Sequence, residues 1–429
     1  MKRAFLIILT LLLVGTKAEA TNQHAGHFKN TLKDFIEVAL EQNPSLLEAK
    51  NKINIYKQIP DQRSSWEDPM LTLGLANLPV DTFSFREQAM TQKQIQVIQE
   101  IPYPGKTELR KNAAEKDITI AEWNLKELEL NVIRQIKESF FELCFINSAI
   151  ATTEQNKILL KQFVTIAESK YSVGKGIQQD VLKAQVELSK IMDELIELQQ
   201  VQANETARLN TLMNRLPQEN LQIPHGLTQT EFKYDIQSLQ DLALKNRPFL
   251  QGIQTSINKF TITKELAEKE YFPNFRVGIQ YGQRQNSPFQ DHPDFISGFI
   301  GVNIPIWFTT KQRKKVAEEN FRILTAKDTY NAARNNVFLK IKLILDRENK
   351  GRKLISLIKT GIIPQARQSL ESALAAYSVD KIDFLTLIDN QVTLLKWEIK
   401  YHRQLTDYEQ NLAALEHVVG QSLFNALYE

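Results

Sequence analysis

Residues 171–186 read YSVGKGIQQDVLKAQV and residues 377–392 read YSVDKIDFLTLIDNQV. Tyr, Ser, Val, Lys, Gln and Val occupy the same places in both, 206 residues apart (377 − 171 = 206). Followed backwards, the repetition continues. ALEQNP, ending at Pro44, returns as ALKNRP, ending at Pro248, and the Pro69 that opens PMLTLGLAN returns as the Pro273 that opens PNFRVGIQYG. Ile101-Pro102 returns as Ile304-Pro305, each pair closing a strand-like run ahead of a basic stretch. Such conservation of order over a long period marks an internal repeat. The chain therefore divides into a first repeat, 31–216, a connecting segment, 217–235, a second repeat, 236–423, and a C-terminal tail, 424–429.

The first 20 residues, MKRAFLIILTLLLVGTKAEA, combine a basic start, an apolar run from Ala4 to Val14 and Ala18-Glu19-Ala20. That is the layout of a cleaved secretory signal, with 21–30 left as a polar N-terminal tail. The apolar run is too short for a membrane helix, which needs about 20 residues. Cys144 is the only cysteine, so no disulfide or Cys-rich metal site is expected, and its role is packing. Loss of the signal removes Lys2, Arg3 and Lys17 against Glu19, which takes the formal +3 to about +1 and gives no reason to expect nucleic acid as a partner.

Each repeat reads as helix, strand, strand, very long helix, tight turn, long helix. Between Gly105 and Lys170, Ile133, Ile136, Phe140, Leu143, Asn147 and Ile150 step by three and four, as at a coiled-coil seam. Val181, Ala184, Leu188, Ile191, Leu195 and Leu198 do the same after the turn, and Leu385, Ile388, Val392, Leu395 and Ile399 form the expected seam of the second repeat. Gly174 and Gly176 suit the first turn, and Asp383 can cap the last helix.

The strands point to a membrane. Phe275, Val277, Ile279 and Tyr281 alternate with Arg276, Gly278, Gln280 and Gly282, and Leu71, Leu73 and Leu75 alternate with Thr72, Gly74 and Ala76. One face toward lipid and the other toward a wet lumen gives this pattern, and about ten tilted residues suffice to cross. A half-buried strand of a soluble sheet gives it too. The partner runs, near 93–101 and 295–304, alternate less cleanly. Four strands cannot close a membrane barrel, and open edges in lipid leave backbone groups unpaired, so several chains must share one.

Over nearly the whole chain this plan resembles the TolC-type outer membrane factors. YSVGKGIQQDVLKAQ and YSVDKIDFLTLIDNQ resemble that family's two hairpin tips. QEIPYPGK (99–106), NIPIWFTTKQR (303–313) and YSVDKIDFLTLIDNQVTLL (377–395) resemble its heavy-metal, Czc/Cus-like branch. Many members of that branch carry a lipidated N-terminal cysteine, which this chain lacks. The resemblance implies a mainly α fold with a membrane β part: a homotrimer whose coiled-coil hairpins form an α-barrel in the periplasm and whose strands, four per chain, form a shared 12-stranded barrel in outer membrane lipid. It implies a non-enzymatic exit duct, without cofactors, for metal cations brought by an inner-membrane pump and a periplasmic adaptor. Drug efflux and type I protein secretion are the alternatives for cargo. A periplasmic adaptor or a helical scaffold is the alternative of another class, but an adaptor would show a single hairpin and a small β domain.

Carried over to this chain, the resemblance places adaptor docking at Val173, Gly174, Val379 and Asp380. It places a closing aperture at Tyr377 and Asp389, while the family's second aspartate and its arginine fall on Thr386 and Ile382. Asp389 on a solvated face and a Tyr377 that merely packs remain the other reading. His24 and His27 are a metal pair or plain solvated residues, His225, His292, His402 and His417 being scattered. Lys311, Arg313, Lys314 and Lys315 line the tube or begin a solvated helix.

Overall fold

A computed structural model describes residues 31–224 and 226–424. The signal sequence, the tail with His24 and His27, His225 and residues 425–429 lie outside the described residues. Seven elements precede the connecting segment: α1 (Leu32–Gln42), α2 (Pro44–Lys57), α3 (Ile59–Ser64), β1 (Met70–Ala76), β2 (Gln92–Ile101), α4 (Lys106–Ser172) and α5 (Gln178–Leu212). After it come α6 (Ile236–Asn246), α7 (Pro248–Lys269), β3 (Phe275–Arg284), β4 (Phe295–Val302), α8 (Gln312–Leu357), a π-helical turn (Ile358–Ile362), α9 (Ile363–Ser378) and α10 (Phe384–Val419).

Local chemistry sets the boundaries. Thr31 and Asp34 form a capping box at the start of α1. The opening helix of each half is broken rather than continuous, because Pro44 and Pro248 each force a fresh start at the first helical position. Asn43 caps the first restart, its side chain accepting from Ser45 N at 3.0 Å. The 67 residues of α4 run on without interruption, about 100 Å at 1.5 Å per residue. Its counterpart does not. Pro364 offers no N–H and its ring crowds the preceding turn, and the chain absorbs this by widening into the five-residue π turn just before it. Asp383 caps α10, its carboxylate accepting from Thr386 N at 2.9 Å.

The core is a string of clusters along the helices. Phe35, Ile136, Phe140, Leu143, Leu209 and Met213 pack α1, α4 and α5 together, with Cys144 fully buried among them. Phe163, Leu195, Leu370, Phe384, Leu387 and Ile388 hold the far end. The seam of α10 keeps part of the expected row and shifts the rest: Ile388 is buried and Leu395 packs beside it, but Leu385 and Val392 are exposed, and Phe384, Leu387, Gln391 and Leu394 are buried in their place. Gln391 Nε2 donates to Asn156 Oδ1 at 2.8 Å between α10 and α4. A polar side chain in the buried row displaced the phase that a purely apolar pattern assigns.

Charged groups tie the halves together across α4 and α10. Lys137 and Glu416 form a buried ion pair, and Arg403 holds Glu142 through two bonds of 2.7 and 2.9 Å. The connecting segment is pinned as well. Thr230 N and Oγ1 donate to Glu409 at 2.8 and 2.6 Å, and the Tyr408 hydroxyl donates to the Thr230 carbonyl at 2.9 Å.

Candidate pore wall and hairpin tips

The four strands form one antiparallel sheet in the order β1-β2-β3-β4. Residues directly opposite on antiparallel neighbours share a face, so the register sorts every side chain. Leu73, Ile95, Tyr281 and Ile296 make one row across the sheet, apolar throughout, and Thr72, Gln96, Gln280 and Ser297 make the next, polar throughout. The apolar face is bare: Leu73 is 71% exposed and Ile300 78%. The register sorts the two indistinct runs without making them regular: Ile95, Val97, Ile296 and Ile300 join the apolar face and Gln94 and Gln96 the polar one, but Gln99 falls on the apolar face and Ile98, Phe295 and Phe299 on the polar one. At the helical end of the sheet, Lys106 Nζ donates to Asn274 Oδ1 at 2.8 Å and to the Phe272 carbonyl at 2.7 Å, while Asn274 Nδ2 donates to Glu100 Oε1 at 3.1 Å. This network fixes where strand becomes helix. β1 and β4 are the free edges.

Far from the sheet, the two helical hairpins turn by the same backbone device. Gly174 and Asp380 both stand at positive φ, 73° and 60°. Lys175 N bonds the Lys170 carbonyl at 2.8 Å and Gly174 N bonds that of Tyr171 at 3.0 Å; Lys381 N bonds Ala376 at 2.9 Å and Asp380 N bonds Tyr377 at 3.2 Å. This is the Schellman closure of a helix C-terminus, which wants glycine at the left-handed position. The second turn puts an aspartate there instead. Val173 and Val379, the expected docking residues beside them, are exposed.

A lysine that sequence reasoning passed over joins the turns. Lys170 Nζ, from the first hairpin, donates to the Tyr377 carbonyl at 2.5 Å, lies 4.3 Å above the Tyr377 ring and pairs with Asp380. That pairing holds the Asp380 carboxyl below its ordinary range. Tyr377, expected at an aperture, is 4% exposed and packs on Phe384 with ring centroids 5.4 Å apart. Burial, then the nearby Asp180 and Asp380, pushes its hydroxyl up to about 12. Asp389 stands on the exposed side of α10. The structure thus gathers Tyr377 and Asp380 around Lys170 and sets Asp389 apart from them.

Lys311, Arg313 and Lys314 are exposed at the start of α8, and Lys315 pairs locally with Glu318 and Glu319 at 3.1 and 3.3 Å. His292 bonds the Gln285 carbonyl within the β3–β4 loop at 3.0 Å, and His417 lies 3.3 Å from Glu127. No group of three or more His, Cys, Asp or Glu that could hold a metal ion occurs among the described residues. No helix among them is long and apolar enough to cross a membrane.

A sheet with one lipid-compatible face, two free edges and long helical hairpins at one end is the protomer of an outer membrane channel with a periplasmic extension. Residues 35–215 match the outer membrane efflux protein family. The chain is 20% identical over 317 residues, 74% of each chain, to the cobalt-zinc-cadmium resistance protein CzcC of Cupriavidus metallidurans. It is 23% identical over 215 residues, 47% of this chain and 46% of the relative, to the toxin and drug export protein A of Aggregatibacter actinomycetemcomitans. The crystal structure of CusC shares its fold, with a TM-score of 0.76 over 94% of this chain and 96% of that one at 14% identity. The match to the outer membrane efflux proteins thus lies in the first half of the chain, and the chain as a whole has the fold of a TolC-type outer membrane factor. It is a channel component of the outer membrane and not an enzyme.

Proposed function

We propose that three copies of this chain form a duct through which an inner-membrane pump and a periplasmic adaptor export metal cations. The observation that carries the reading is the four-stranded sheet, bare on its apolar face and unpaired at β1 and β4. Backbone groups cannot stay unpaired in lipid, and three such sheets joined edge to edge close a 12-stranded barrel. Apolar residues left bare on the hairpins, among them Leu182, Val186, Ile196, Leu385 and Val392, supply the contacts between protomers. The segments 31–216 and 236–423 act as two copies of one unit, so that three chains present six hairpins around one tube. Cations are favoured by the similarity to CzcC over three quarters of the chain. The shorter similarity to the toxin and drug export protein supports drugs as a second reading. Loss of this gene should lower tolerance to cobalt, zinc and cadmium while leaving drug tolerance in place, and the reverse pattern would establish the second reading.

Docking of the adaptor is assigned to Val173, Gly174, Val379 and Asp380. Gly174→Pro tests it, since proline cannot adopt the φ of 73° found there and lacks the N–H that bonds Tyr171. Trimers should still form, because the sheet is remote from the turn, yet export should fail. Normal export would place docking elsewhere.

The aperture is assigned to Asp389, with Tyr377 acting from the packed tip beneath it. Around a threefold axis each Asp389 occurs three times, and clustered carboxylates either repel or gather a cation. In planar bilayers Asp389→Ala should weaken block by divalent cations added from the periplasmic side, and Tyr377→Ala, which empties the tip packing, should raise resting conductance. No change in either variant would move the constriction away from these residues.

A further inference from the structure

We infer that Gly278 and Gly282 are sockets which keep the bore of the barrel open by receiving side chains from the neighbouring strands. Both lie on the polar face of β3, and they are the two buried positions of that strand. Neither has the positive φ that would demand glycine, and glycine within a strand costs about 0.5–1 kcal/mol relative to alanine, so another cause must hold it there. The neighbours supply one. The Phe299 ring, opposite Gly278 on β4, lies across the strand where a Cβ at Gly278 would stand, well inside the 3.0 Å that real Cβ atoms keep, and the Gln92 carboxamide from β2 does the same at Gly282. Phe299 is consequently only 36% exposed on an open sheet, whereas Ile300, its neighbour on the other face, is 78% exposed. An aromatic ring on a lumen wall would ordinarily project into the channel. Here it is laid along the wall, and threefold assembly would repeat that arrangement around the bore.

This inference rests on the shared barrel proposed above, with the polar face of the sheet turned to its lumen, and one experiment separates the two. Gly301 lies on the same face, opposite Arg276 and nearer the helical end than Phe299, and a Cβ there meets nothing closer than 3.9 Å. Gly301→Cys therefore reports passage past the ring. Cys144 does not compete, because burial pushes its thiol up to about 12. In intact cells, small and bulky methanethiosulfonate reagents added outside should both label the reporter. Adding Gly278→Ala should lift Phe299 off the wall and slow the bulky reagent several-fold while sparing the small one, and adding Phe299→Ala should restore the rate. An unchanged bulky-reagent rate in the Gly278→Ala protein, or no restoration, would overturn the socket. Should Gly278→Ala block assembly, recovery of trimer in the double variant reads the same socket, and no recovery overturns it. A reporter that even the small reagent leaves unlabelled would overturn the lumen-facing assignment, and the inference with it.

Discussion

Leu73→Arg and Val277→Arg should each deplete the assembled trimer from the outer membrane, while Gln280→Arg should leave it near its normal amount. Leu73 and Gln280 lie in adjacent rows of the sheet, so between those two the depth is similar and the face differs, while Val277 lies three rows nearer the helical end than Gln280. Leu73 and Val277 are bare on the apolar side, and Gln280 belongs to the polar row with Thr72, Gln96 and Ser297. An arginine facing lipid near the bilayer midplane costs about 2–4 kcal/mol in a barrel, and three copies per assembly multiply the effect. On the polar face the same guanidinium stays hydrated. Quantifying heat-resistant trimer in outer membrane fractions makes the comparison, and equal loss in all three variants would reverse the facing assigned here.

Glu348→Gln should stabilise the protein and remove most of a pH dependence that the natural chain carries. Glu348 is 3% exposed on α8, and neither carboxylate oxygen has a hydrogen-bond partner among the described residues. Glu409 faces it from α10, with Arg352 one turn along α8 and the Tyr408 hydroxyl nearby. Burial first, and the Glu409 charge second, pushes its carboxyl up to about 8 from an ordinary 4.5, against a weaker pull from Arg352. The native state then binds a proton that the unfolded chain releases between those two values. Stability must therefore fall as pH rises from about 4.5 to 8, with the full cost present above 8. At about 1.4 kcal/mol per pH unit the total is a few kcal/mol. Because Glu409 also ties down Thr230, the loss should appear first as faster amide exchange in residues 226–235. Glutamine mimics the protonated acid. Thermal unfolding of both proteins across pH 5–9 checks the expectation, and parallel curves would show that Glu348 is ionised or hydrated in the native state.

Much of this was legible because the two halves share one pattern. The turns at 171–176 and 377–382 and the β1 and β3 alternations all follow from residue type and spacing. What stayed hidden depends on partners distant in sequence. The phase of β4 could not be read from FISGFIGV, since Phe295 and Phe299 place aromatic groups on the polar side, and only the register with β3 shows that one of them rests on a glycine. Similarly, the α10 seam is set by Gln391 meeting Asn156, which no apolar periodicity contains. The clasp at the tips was available in a different way. Lys170 stands where the second copy has Ala376, and Asp380 stands where the first has Gly174; these two departures from the repeat are each other's partners. Positions at which the internal copies of a duplicated chain disagree are thus worth pairing with one another.

That one chain supplies a third of a membrane barrel is tested most directly by mass measurement of the protein extracted from outer membranes in detergent. Three chains per particle are expected, held together in the membrane fraction and conducting ions in a planar bilayer. A water-soluble single chain recovered from the periplasm would contradict it.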